Sequence, residues 1–166
     1  MKRLIVILGI AILFIITFAV WFTFPKQHNK VLEGIHYQLG NDEEIYEVTV
    51  GIDGEIRRNL IGTKTFEGIL DIEDEELPVP KDERNVTIKF DEYNRGVIVY
   101  TGFRNGVPYT HSYGSIFVNH DFTKITIQKG SWDGEEGYMI TAPAKDYFDA
   151  KTISNELMEK FIQEPL

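Results

Sequence analysis

The sequence predicts an α+β protein: an N-terminal transmembrane helix, then a mostly antiparallel β-sheet domain with one C-terminal amphipathic helix packed on it. Three observations predict this. Residues 4–24 are uncharged and almost wholly apolar. From Glu33 to Thr141, apolar residues recur with period two between turns rich in Gly, Asn and Asp. Beyond Pro143 the period becomes that of a helix. A chain of 166 residues has room for one core. The expected organisation is a transmembrane signal-anchor over residues 1–25, a short linker over 26–32 and an extracytoplasmic strand-rich domain over 33–166.

The first element is argued by length. At about 1.5 Å per residue, a helix over the uncharged run reaches about 31 Å, matching a hydrocarbon core of about 30 Å. Lys2 and Arg3 ahead of it are also what a cleaved signal peptide carries. The run is longer than an ordinary signal-peptide core, however, and Val20-Trp21-Phe22-Thr23-Phe24-Pro25 is bulky where cleavage needs small residues. An uncleaved anchor is therefore expected. The positive charges of Lys2, Arg3 and the free amino group favour a cytoplasmic N-terminus over the competing Lys26 and Lys30, which puts the domain outside.

After a polar exit at 25–29, Ile35, Tyr37 and Leu39 alternate with His36 and Gln38. Ile45, Val48, Val50 and Ile52 then lead to Asp53-Gly54, a hairpin signal with a return strand expected over 55–60. In 63–72, Phe66, Gly68, Leu70 and Ile72 share one face. Residues 71–84 are acidic, contain Pro78 and Pro80 and read as an exposed loop. Val86, Ile88 and Phe90 make the next strand, Asn94-Arg95-Gly96 the next turn and 97–101 its return. Asn105-Gly106 is a further turn. The strand over 109–118 is expected to bulge at Gly114. Residues 122–129 bury the side of Ile125 and Ile127, 130–137 turn, and 138–141 form the last strand.

In the C-terminal segment Ala150, Ile153, Leu157 and Phe161 fall at helical spacing, widened by Phe148, Met158 and Ile162. Asp146 suits the N-cap, Asp149 the first turn, and Pro165 stops the helix, expected over about 146–163. Its stripe must be buried, and a face of the strands is the available partner.

Composition limits the function. The net charge is −9 and the only compact basic group is Arg57, Arg58 and Lys64, so nucleic acid is not an expected partner. There is no cysteine, hence no disulfide, thiolate metal site or cysteine nucleophile. His28, His36, His111 and His120 lie in separate segments without zinc-binding spacing. The acid run Asp71, Glu73, Asp74, Glu75 and Glu76 lacks the glycine of a calcium loop, and Asp133-Gly134-Glu135-Glu136 reads as a turn. No nucleophile elbow and no Gly-rich phosphate loop occurs. No catalytic residue, metal ligand or cofactor is therefore assigned. Aromatic residues late in the chain, Tyr109, Tyr113, Trp132 and Tyr138, are the candidate partner-binding residues.

Two segments carry a resemblance. Ser131-Trp132, Gly137-Tyr138-Met139-Ile140-Thr141-Ala142-Pro143-Ala144 and Ile153-Ser154-Asn155-Glu156-Leu157-Met158 resemble the C-terminal end of uncharacterised small membrane-anchored proteins of low-GC Gram-positive bacteria. Phe66-Glu67-Gly68-Ile69-Leu70-Asp71-Ile72 resembles an internal segment of the same group. The resemblance covers about a third of the chain. It implies a bacterial cell envelope location and carries no catalytic residues. The expected function is that of a non-catalytic, single-pass membrane protein whose acidic domain binds an envelope protein or cell-wall component. The alternative is a membrane-bound hydrolase with a dispersed carboxylate and histidine site.

Overall fold

The structure, a computed structural model, describes residues 2–73, 75–77, 79–162 and 164–166, the side chains of 2–6, 8 and 42 excepted. Helix α1 (Lys2–Thr23) leads directly into a meander of eight strands. These are β1 (Lys26–Gln38), β2 (Asn41–Arg58), β3 (Lys64–Glu73), β4 (Asn85–Phe90), β5 (Arg95–Arg104), β6 (Val107–Val118), β7 (Ile125–Lys129) and β8 (Tyr138–Ala142). A single 3₁₀ turn, Lys81–Glu83, precedes β4, and helix α2 (Tyr147–Met158) follows β8. Among the described residues no helix is long and apolar enough to cross a membrane.

Each described strand pairing is antiparallel, and the order is β4-β3-β2-β1-β8-β7-β6-β5. The first strand pairs with the last, Ile35 opposite Thr141. The two ends of that order, β4 and β5, are joined by the 91–94 turn and lie alongside each other, so the sheet rolls into a barrel. Two ends result. The 59–63, 91–94 and 119–124 turns lie at the α1 end, and the 39–40, 74–84 and 105–106 connections lie at the other.

The interior is filled. Val50, Ile52, Phe66, Leu70, Ile72, Ile88, Ile98, Ile125 and Ile127 form the main core with Tyr100, whose hydroxyl donates to the Leu70 carbonyl at 3.0 Å. Phe122 closes the α1 end, edge-on to Phe90 and stacked with Phe66. A second cluster lies outside the barrel, where α2 covers Ile35, Tyr37, Phe117 and Met139 with Ala150 and Met158. Beneath α2, Ser154 Oγ lies 2.7 Å from Tyr37 Oη, 2.6 Å from Thr141 Oγ1 and 3.1 Å from Thr126 Oγ1, all buried. Asp146 caps α2 by accepting from the Asp149 amide at 2.9 Å.

Several expectations need correction. The polar residues 26–32 are strand, because they pair with β2 from Lys26 opposite Ile56 onward. Asp53-Gly54 makes no hairpin; it lies inside β2, paired on both sides, with Gly54 opposite Gly68. A Cβ at Gly54 would meet the Gly68 Cα at 2.7 Å, so the glycine serves a close strand approach. The turn is instead made at 59–63, where Asn59 Oδ1 accepts from the Thr63 amide at 2.8 Å and Gly62 adopts φ +89°. Residues 122–124 are turn, with Phe122 at φ 56°, and β7 begins at Ile125. Helix α2 ends at Met158, and Phe148 faces solvent instead of widening the buried stripe. The Gly114 bulge is present, as a register shift against Ile98 and Val99. Asn105-Gly106 forms its turn with both residues at positive φ.

Candidate functional site

Residues 71–84 do not form an exposed acidic loop. Val79 is buried, Leu77 packs against the interior core, and buried Arg84 pairs with Asp71 and donates to the Val79 carbonyl. Asp74 and Pro78 lie outside the described residues. The segment folds over the barrel end opposite α1 and turns Glu75 inward, its side chain only 7% exposed.

Glu75 is the hub of a polar cluster. Its Oε1 accepts from Tyr46 at 2.7 Å and from Lys129 Nζ at 2.8 Å, and its Oε2 accepts from Tyr113 at 3.1 Å. β1 contributes His36, β2 Tyr46, β6 Tyr113, β7 Lys129 and β8 Tyr138. His36 is buried between two rings, 4.2 Å from Tyr46 and 5.6 Å from Tyr138, both stacked. Lys129 Nζ lies 3.3 Å from His36 Nε2 and 5.9 Å from the Tyr138 ring centre. Tyr138 donates to Glu44 at 3.2 Å.

Electrostatics fix the protonation states. Burial and then the Lys129 charge lower His36 to about 4, against the pull of Glu75, so the imidazole is neutral at pH 7. Its 3.6 Å approach to Glu75 is accordingly no ion pair at that pH. His36 Nδ1 is buried without a hydrogen-bond partner among the described residues. For Glu75, burial pushes the carboxyl up, but hydrogen bonds from Lys129 and Tyr46 and the lysine charge outweigh it and hold the group below its usual range. Tyr46 and Tyr113 are pushed up, first by burial and then by the Glu75 carboxylate.

The four aromatic candidates separate. Tyr113 and Tyr138 belong to this cluster, Tyr113 buried and Tyr138 half-exposed. Tyr109 packs against the interior core with Arg104 over its ring at 5.3 Å. Trp132 stands edge-on to Phe161 at 5.4 Å, against the outer cluster. The histidines do not converge: His28 lies tilted against Phe122 at the α1 end, His120 approaches Arg58 there, and His36 is at the opposite end. Among the described residues no group of His, Asp and Glu is arranged to hold a metal ion.

Sequence reasoning missed His36, Tyr46, Glu75 and Lys129. One signal was present: Glu75, Leu77 and Val79 alternate, the pattern of a segment with one face inward. The comparisons leave the site to speak for itself, since no protein-family model, curated protein or solved structure matches the chain.

Proposed function

We propose that this chain is a non-catalytic, single-pass membrane-anchored protein of a bacterial cell envelope. Its barrel stands outside the cytoplasm and binds an envelope protein or cell-wall component through the end opposite α1. The anchor half draws support from α1. Leu13, Phe14 and Ile15 point outward, each at least 65% exposed. Its threonines satisfy themselves: Thr17 donates to the Leu13 carbonyl at 2.8 Å and Thr23 to the Ala19 carbonyl at 2.9 Å, as a helix in hydrocarbon requires. A helix apolar on all sides needs lipid or protein around it.

One observation carries the binding half: the Tyr46, His36 and Tyr138 stack. Tyr46 and Tyr138 are 42% and 40% exposed, yet both are fixed through their hydroxyls, to Glu75 and Glu44. Rigid, half-exposed rings lose little entropy on binding and suit the role of anchors. Hydrolysis is disfavoured because both Glu75 oxygens are already engaged and the carboxyl is held ionised, leaving no general acid at that position.

The test uses the natural absence of cysteine. Glu135→Cys, in the turn far from α1, is expected to react with a membrane-impermeant maleimide on intact bacterial cells; reaction only after lysis would reverse the orientation. A photo-crosslinking residue at position 46 or 138 should then give a discrete adduct with wall polymer or an envelope protein, and one at Thr87, exposed on β4, should not. Equal adducts at all three positions would overturn the assignment of the binding end.

A further inference from the structure

We infer that the α1 end of the barrel is a second membrane contact, at which Leu60 and Ile61 enter the bilayer surface beside the helix and Lys26, Lys30, Arg58 and Lys64 meet anionic headgroups. The inference rests on the anchor reading above and adds a contact made by the folded domain itself.

The β2–β3 turn shapes the tip. Asn59 closes it, accepting from the Thr63 amide and, through its carbonyl, from the Gly62 amide at 3.0 Å. Leu60 and Ile61 are thereby projected outward, 73% and 88% exposed. The tip does not stand apart from α1: Leu60, Ile61, Arg58 and Asn59 line one recess with Ala19, Val20 and Thr23 of the helix. Residues Ala19 and Val20 precede Trp21, whose ring lies under Lys26 Nζ at 5.6 Å. Trp with Lys beyond the apolar run is the pattern of a helix crossing the headgroup layer, so the tip reaches the depth at which apolar side chains leave water.

Charge agrees with this placement. The chain carries a net charge of −9, yet this end gathers Lys26, Lys30, Arg58 and Lys64 with His28 and His120. His28 is lowered by burial and Lys30, and His120 by Arg58 and Lys64, as a locally positive field requires. The acids nearby are Asp121, whose side chain accepts from Thr123, Asp91, which pairs with Arg95 at 3.4 Å, and Glu92. A lipid surface is the occupant favoured over a protein because the patch is continuous with α1 and its basic rim complements anionic headgroups.

The experiment uses the full chain in vesicles. Ile61→Cys and, at the opposite end, Glu135→Cys carry an environment-sensitive fluorophore in phosphatidylcholine vesicles with and without phosphatidylglycerol. Flotation after carbonate washing is scored separately. The label at 61 is expected to shift to the blue and to be quenched by spin-labelled lipid several-fold more than the label at 135, with the larger effect when phosphatidylglycerol is present. Equal quenching at both positions in chains that float would overturn the second contact while leaving the anchor standing. Release by carbonate would overturn both.

Discussion

His36 is the residue whose chemistry departs furthest from what its place in the sequence implies. The unfolded chain takes up its proton near 6.5 and the folded chain near 4. Between those values the unfolded state holds more protons, so stability falls as pH drops from 6.5 towards 4 and levels below that, by at most ~3 kcal/mol. The Glu75 contribution behaves differently: its lowered carboxyl stabilises the fold above the usual carboxylate range and is lost only at still lower pH. Denaturant titrations between pH 7 and 4 should show the first slope in the wild type and a shallower one over that window in His36→Gln, where the lowered His28 and His120 still contribute; an unchanged slope would assign it to another group. His36 was not legible as buried because it alternates with Ile35, Tyr37 and Leu39, and a strand with one apolar face is read as solvated on the other. β1 is covered on both faces, by α2 outside and, at His36, by Glu75 within, and neither neighbour is local in sequence.

At the scale of elements, backbone approach and helix docking make two separate predictions. A Cβ at Gly68 would meet the Asp53 carbonyl oxygen at 2.3 Å and the Gly54 Cα at 2.4 Å, both backbone atoms that cannot turn aside. Gly68→Ala is expected to cost about 2–4 kcal/mol, whereas Gly51→Ala on the neighbouring strand, with its nearest contact at 3.7 Å, should be nearly neutral. Equilibrium unfolding of the two variants checks the contrast. Beneath α2, Ser154→Ala removes the hydroxyl at the centre of the buried Tyr37, Thr126 and Thr141 cluster and should lower stability by about 1–3 kcal/mol in the same assay. The strands that alternate most cleanly, β3 and β4, were legible because one face alone is buried along most of their length. β2 was not, since Asp53-Gly54 has the same local preference whether it turns the chain or lets two strands approach. Helix α2 was legible from its stripe and its cap, but its length was overestimated because Phe161 and Ile162 join the outer cluster from the turn after it.

At the scale of the molecule, both core clusters are built from described residues after α1, which meets the barrel near the β2–β3 turn and at Lys26. A chain beginning at Lys26 should therefore fold by itself, with an unchanged far-ultraviolet spectrum and a melting temperature within ~5 °C of the full chain in detergent. A larger drop would mean that α1 supports the barrel. The antiparallel class and the strand count near eight could be read from turn spacing; the closure could not, because nothing local states that the first strand pairs with the last.

That closure sets a timetable. The Ile35 and Thr141 partners are about a hundred residues apart in the chain, and α2 must arrive later still to cover them. Contacts of such separation form slowly, after most of the loop entropy has been lost. During synthesis β1 and β2 emerge first, as a long hairpin with an unsatisfied edge that waits for β8. Under the proposed anchoring by α1, a nascent chain would wait in two dimensions, at raised local density beside its own copies. The interval before β8 arrives is when this protein is most exposed to pairing with a neighbour, because the waiting stretch of β1, residues 35–38, carries no lysine or carboxylate to discourage it.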